Sequence, residues 1–239
     1  MPDTVKMQDQ SSKAAPGALM LFAAGFGKRM GALTEDRPKP LIHVGGRTLL
    51  DRSLDWTRAA GIERVVVNAH YRADMIRAHL AGQDVEIAEE TPEILETGGG
   101  LLAAGPLLGG QIVYTFNPDV VWQGPNPLLV LADAWAAAPQ AALLLLIETP
   151  KALGRDGPGD FSMDSRGDLS RGQDYLYCGA QIIDTSRLGE IGKTVFSLNA
   201  YWDLMAASGD LGGVVYPGKW CDAGSPQGLA AAEDLLGDG

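Results

Sequence analysis

Cysteine and histidine are scarce in this chain, with two cysteines (Cys178 and Cys221) and three histidines in 239 residues. Two distant thiols exclude the multi-bridge framework of a small secreted domain, and with scattered histidines they make no zinc-ligand spacing. Basic charge is also short. Nineteen Lys and Arg stand against 30 Asp and Glu, a formal net charge of −11, which argues against a nucleic-acid partner because such proteins present a basic face. Long apolar runs are missing too. The longest, Ala134 to Ile147, is interrupted by Pro139 and Gln140 and is too short to span a bilayer, so no membrane partner is expected. Residues 1–17 are polar, lack an apolar signal core, and are expected to be a disordered leader on a cytoplasmic protein. The remainder is that of a globular chain with ample core, 46% hydrophobic and 21% charged.

What is present alternates between strand and helix. Leu19–Ala24, Arg64–Ala69, Val85–Glu89, Gln111–Phe116 and Ala141–Ile147 read as short buried strands rich in aliphatic residues. Between them Leu49–Ala60, Ala73–Leu80 and Pro127–Ala138 carry apolar residues at helical spacing, and Gly99–Pro106 reads as a short helix after a glycine turn. This alternation predicts an α/β protein with a Rossmann-like, mostly parallel sheet and helices on both faces. After about Thr149 the pattern changes. Lys151–Asp174, rich in Gly, Asp, Ser and Arg, predicts hairpins; Tyr177–Ile183 and Val214–Tyr216 read as strands, and Phe196–Ser208 and Ser225–Leu236 as helices, the last with Ser225 as N-cap. One domain over 18–239 is expected, with a regular half at 18–148 and an irregular, β-containing half at 149–239.

The first strand ends in AAGFGKRMGALTEDRPKPL, and the rest of the chain can be read as completing what this segment begins. Glycines after a strand let backbone N–H groups approach a phosphate. The dinucleotide fingerprint needs glycine at position 30, where this chain has Met30, and the P-loop pattern is absent. Two cations change the meaning of the turn. Arg29 offers a planar fork suited to phosphate oxygens, and Lys39 offers a point charge between Pro38 and Pro40, which restrict the backbone around it.

This segment resembles the signature of the sugar-1-phosphate nucleotidylyltransferases, roughly G-x-G-x-R-[LM] followed by P-K-[PA]-L. Three later stretches agree: Glu96–Leu101 (ETGGGL) is similar to the loop that packs on the nucleobase, Asn117–Asp119 to an acidic strand-end turn, and Trp220–Gly224 (WCDAG) to a W-x-D-x-G segment. The match runs from Leu19 to about Glu233 and lacks the extra C-terminal β-helix domain, which implies the short branch and favours a monomer. Within that branch it looks most like the uridylyltransferases acting on N-acetylmuramate 1-phosphate, then like short mannose-1-phosphate guanylyltransferases.

The resemblance implies the nucleotide-diphospho-sugar transferase fold and a Mg²⁺-dependent transfer from a nucleoside triphosphate, UTP favoured, to a sugar 1-phosphate. It implies nucleotide contacts from Ala24, Gly25, Gly27, Lys28, Arg29, Glu96, Thr97, Gly98 and Asn117. Arg29, Lys39 and Asp119 would be catalytic, and Asp119 and Asp222, the latter in a turn, would hold the metal. Asp160, Gly179 and Asn199 would face the sugar. Pro118 departs from the family's usual glycine, fixing φ and removing an N–H beside Asp119. His70 reads as a hydrogen-bonded structural histidine and the two cysteines as packing residues; Trp220 is equally a ligand-stacking or a core residue. A non-catalytic nucleotide-sugar sensor and a cytidylyltransferase acting on a phosphorylated alcohol remain open.

Overall fold

The computed structural model describes residues 14–137 and 140–237, so the leader expected at 1–17 lies outside the described residues up to position 13. Strand β1 (Ala18–Phe22) leads through two 3-10 turns (Lys28–Thr34 and Lys39–Leu41) into the hairpin β2 (His43–Val44) and β3 (Arg47–Thr48). Then follow α1 (Leu49–Ala59), β4 (Arg64–Ala69), α2 (Ala73–Leu80), β5 (Glu86–Glu89), α3 (Glu96–Leu108), β6 (Ile112–Phe116), β7 (Val120–Gln123), α4 (Pro127–Ala137) and β8 (Ala142–Glu148). The later half holds β9 (Phe161–Met163), β10 (Leu169–Arg171), β11 (Tyr175–Asp184), α5 (Leu198–Ala207), β12 (Leu211–Val215), β13 (Lys219–Asp222) and α6 (Pro226–Gly237).

The main sheet runs β5-β4-β1-β6-β11-β8-β12. All of these strands are parallel except β11, which enters from the opposite end because the antiparallel β9/β10 hairpin precedes it. The expected α/β architecture with a mostly parallel sheet is therefore present, and the Lys151–Asp174 hairpin expectation holds at β9 and β10.

The pleat of β1 sorts the core into two layers. Leu19 and Leu21 point into one cluster with Leu50 and Leu54 of α1, Ile76 of α2 and Leu128 of α4. Ala18 and Met20 point into the other with Leu101 of α3 and Tyr201 and Met205 of α5. Period-two side chains on a strand covered on both faces give this division, and each fully buried Leu contributes about 1.5–3 kcal/mol. A third cluster lies under α6, where Ala232 and Leu235 meet Met30, Val121 and Cys221. Met30 is buried there, which explains why a methionine stands where a dinucleotide-binding loop would carry glycine: the position faces the core.

Two expectations need correction, and two strands were not expected at all. The glycine turn before Gly99 is instead the first turn of α3, which begins at Glu96. Gly98, Gly99 and Gly100 lie inside a helix because of what presses on it. A Cβ at these positions would lie 2.4 Å from the Phe196 ring, 2.1 Å from the Thr194 carbonyl oxygen and 2.5 Å from Glu90 Oε1. Strands β7 and β13 were also not anticipated. They pair antiparallel with Trp220 opposite Trp122 and Asp222 opposite Val120, so Asp222 ends a strand rather than sitting in a turn. Ser225 does serve as the expected cap of α6, its hydroxyl accepting the Gly228 N–H at 3.0 Å.

Candidate active site

The carboxyl ends of the parallel strands make the crevice where an open α/β sheet binds its ligands. After β1 the chain is held by Asn68, whose side-chain oxygen accepts the Ala23 N–H at 2.7 Å. It then turns at Gly27, in the left-handed region at φ 64°, and enters the 3-10 turn whose Met30 is anchored in the core. Lys28 and Arg29 are left exposed on the rim. Pro38 caps the second 3-10 turn, and Lys39 opens it with its ammonium directed inward.

Lys39 Nζ donates to Asp119 Oδ2, and both side chains are largely buried. Burial, the largest single influence, pushes the Asp119 carboxyl up; the charge and hydrogen bond of Lys39, with a backbone hydrogen bond and the Arg29 charge, together outweigh it and leave the group below its ordinary value. The backbone on either side of Pro118 is held by hydrogen bonds. The preceding Asn117 N–H donates to Gly179 O at 2.7 Å, and Asp119 O accepts the Ala223 N–H at 2.9 Å. That second bond ties the β6–β7 turn to the end of β13, which carries Asp222. The Asp222 carboxyl is pushed up by burial and by the nearby Asp119 charge, against the pull of the Gly224 N–H and of Arg29. Arg29 stands 3.8 Å from it.

These groups converge on Gly224. A Cβ there would lie 2.7 Å from Asp222 Oδ1, 2.9 Å from the Arg29 guanidinium and 3.2 Å from Asp119 Oδ2. The missing side chain leaves a small space walled by two carboxylates and a guanidinium. Among the described residues no cluster of three or more His, Cys, Asp or Glu is placed to hold a metal ion. Two carboxylates, Asp119 and Asp222, thus present hard oxygen donors to the space at Gly224.

Two cavities meet at this point, sharing Phe22, Thr97, Asn117 and Asp119. One, of about 190 Å³, is lined by Ala24, Gly25, Lys39, Glu96 and Thr97. The other, of about 240 Å³, is lined by Arg29, Asp160, Gly179, Asn199, Trp220 and Asp222. The three residues expected on the sugar line the larger cavity; of those expected on the nucleotide, Ala24, Gly25 and Glu96 line the smaller one, Thr97 and Asn117 line both, and Arg29 lines the larger one instead. Three expected nucleotide residues line neither. Gly27 shapes the turn and Lys28 stays on the rim. Gly98 spends its N–H on the Phe196 carbonyl at 2.9 Å, and the Phe196 ring closes over it.

Other expectations hold in detail. His70 Nδ1 lies 2.8 Å from the Glu90 carbonyl oxygen, a structural role. Trp220 is buried, donates its indole N–H to Cys178 O at 2.8 Å and also walls the larger cavity, so it is both core and lining. Burial pushes the Cys178 thiol well up and Cys221 to about 12, which leaves both unreactive. Sequence reasoning missed the buried pair Asn68 and Glu90 on the smaller cavity, joined at 2.7 Å, and Arg155 on the larger. Asn68 had a visible signal: it is a polar residue directly after the apolar run Val65–Val67 in the RVVVNA strand.

Residues 19–150 match the family described as the MobA-like NTP transferase domain. An N-acetylmuramate alpha-1-phosphate uridylyltransferase of Caulobacter vibrioides is 36% identical over 239 residues, covering 94% of this chain and 98% of that protein. A uridylyltransferase of the same description from Neisseria meningitidis is 29% identical, covering 91% and 97%. The fold is that of the inositol-1-phosphate CTP transferase from T. maritima, with a TM-score of 0.77 at 16% identity over 93% of this chain and 96% of that one. It is equally that of HddC from Yersinia pseudotuberculosis complexed with GMP-PN, with a TM-score of 0.75 at 18% identity over 92% and 99%. The chain belongs to the MobA-like NTP transferase family of nucleotidyltransferases, with the N-acetylmuramate α-1-phosphate uridylyltransferases among its full-length relatives.

Proposed function

We propose that the protein transfers a uridylyl group from UTP to N-acetylmuramate 1-phosphate, releasing pyrophosphate, with Mg²⁺ as cofactor. The observation that carries the proposal is the convergence of Lys39, Arg29, Asp119 and Asp222 at the seam between the two cavities. The choice of base and sugar rests on the names of the full-length relatives.

Both substrates are anions, so the task is charge neutralisation and in-line positioning more than proton transfer. An oxygen of the sugar phosphate forms a bond to the α-phosphorus as the bond to pyrophosphate breaks. The attacking group is already ionised and needs no base; among the described residues that line the two cavities there is no histidine. Asp119 and Asp222 would hold the ion, which when bound supplies positive charge to the phosphates of both substrates. Lys39 keeps Asp119 ionised and offers its ammonium to the α-phosphoryl oxygens as charge develops. Arg29, with Lys28 on the rim and the Gly25 backbone, meets the departing pyrophosphate. Ala24, Glu96, Thr97 and Asn117 line the base and ribose; Asp160, Gly179 and Asn199 line the sugar.

A screen of four nucleoside triphosphates against sugar 1-phosphates and an alcohol phosphate, read as pyrophosphate release with and without Mg²⁺, tests the reading. UDP-N-acetylmuramate is the expected product, lost in Asp119→Ala and Asp222→Ala proteins that keep the wild-type melting temperature within a few degrees. GDP-mannose as the preferred product would replace base and sugar, turnover of the alcohol phosphate would make the protein a cytidylyltransferase-like enzyme, and binding without turnover would make it a sensor.

A further inference from the structure

One charged side chain on the sugar-side cavity has no part in the chemistry above. Arg155 lines that cavity together with Arg29, and among the described lining residues these are its only basic groups. Arg29 stands 3.8 Å from Asp222 and is assigned above to the departing pyrophosphate.

The backbone that carries Arg155 is fixed to the metal-side strand. Leu153 forms a bridge with Cys221, donating its N–H to Trp220 O at 3.2 Å and accepting the Asp222 N–H at 2.9 Å. Gly154 follows at φ 73°, and a Cβ there would lie 2.3 Å from the Asp222 carbonyl oxygen and 2.9 Å from Cys221 Sγ. The chain turns at this glycine, and Arg155 follows it on the lining of the cavity that the Asp222 side chain also lines. Arg155 is then aimed by Asp160. One guanidinium nitrogen stands 3.3 Å from Asp160 Oδ1, while Asp160 Oδ2 accepts the Tyr177 N–H of β11 at 3.0 Å. That contact uses one donor of a five-donor fork on a residue that lines the cavity, and the others remain to meet a ligand there.

A fork of this kind suits a carboxylate, and neutral sugar hydroxyls do not require it. N-acetylmuramate differs from N-acetylglucosamine by a 3-O-lactyl group ending in a carboxylate. In a chain of net charge −11 that extra anion needs a local cation. Resting on the uridylyltransferase reading, we propose that Arg155 binds the lactyl carboxylate and selects the acidic sugar 1-phosphate over its neutral counterpart.

The test measures kcat/KM with UTP for N-acetylmuramate 1-phosphate, its lactyl methyl ester and N-acetylglucosamine 1-phosphate, the last as a competitive inhibitor where it is not turned over. In Arg155→Gln the acidic sugar is expected to lose about 10- to 100-fold, mainly in KM, as for removal of a charge-assisted hydrogen bond. The ester and the neutral sugar should change less than about twofold, and Arg155→Lys should recover part of the loss. Equal losses on all three would put Arg155 on the common phosphate, and no loss would remove it from the sugar; either overturns the proposal while leaving the reaction intact. Wild-type protein that makes no UDP-N-acetylmuramate would overturn the reaction itself, and the Arg155 assignment with it.

Discussion

Adding one methyl group at Gly224 separates a catalytic geometry from a stability effect. Gly224→Ala places a Cβ 2.7 Å from Asp222 Oδ1, 2.9 Å from the Arg29 guanidinium and 3.2 Å from Asp119 Oδ2. Arg29 is exposed and can swing away at little cost. Asp222 cannot, because the Gly224 N–H holds its Oδ1 at 2.7 Å and its own N–H is bonded to Leu153. Relief therefore comes from displacing the carboxylate by a sizeable part of an ångström. Overpacking of this kind costs about 1–3 kcal/mol, which for a chain of this length lowers Tm by roughly 2–12 °C. Displacement of a metal-holding group on the same scale costs catalysis more, about 100-fold in kcat. Thermal unfolding and steady-state pyrophosphate release on the same preparation measure both. A folded Gly224→Ala protein with wild-type kcat would refute the claim that this space belongs to the reacting centre.

Other glycines give contrasting outcomes. Gly25 has open space around its Cα, so Gly25→Ala should leave Tm unchanged and raise the KM for the nucleoside triphosphate if the backbone there approaches a phosphate. Gly99→Ala would push a methyl group 2.1 Å from the Thr194 carbonyl oxygen; it should lower Tm by several degrees, and an unchanged Tm would contradict the packing described for α3. Both cysteines are buried with raised thiol pKa values, so a thiol reagent at pH 8 should modify neither in the folded protein and both in guanidinium chloride. Rapid labelling of the native protein would show that the β13 and β11 regions open more readily than their burial implies.

How much was legible in the sequence depended on whether the signal was local. Buried strands such as Arg64–Ala69 announce themselves through β-branched runs, and the loop from Gly25 to Lys39 carries its chemistry within fifteen residues. Strands β7 and β13 were not legible. Each has four residues, with a glutamine or charged residues at the ends, and they exist because Trp122 and Trp220 pair across almost a hundred residues of chain. The helix through Gly98–Gly100 runs against glycine's poor helix propensity, and Phe196, Thr194 and Glu90 make small residues necessary there. Asp119 and Asp222 could be assigned a shared task only through resemblance, since nothing near either residue reveals that the Ala223 N–H joins their backbones. Arg155 was hidden for the same reason, one arginine in a polar segment until the Leu153–Cys221 bridge sets that segment beside β13 and its side chain is found on the cavity lining.

The central claim is that Asp119 and Asp222 hold one divalent ion where the two cavities meet. Anomalous diffraction from crystals grown with Mn²⁺ and a non-hydrolysable UTP analogue tests it directly. The account predicts a peak roughly 2.0–2.3 Å from an oxygen of each carboxylate and from the α-phosphate, absent in Asp222→Asn. An ion bound elsewhere, or one retained at full occupancy in Asp222→Asn, would contradict it.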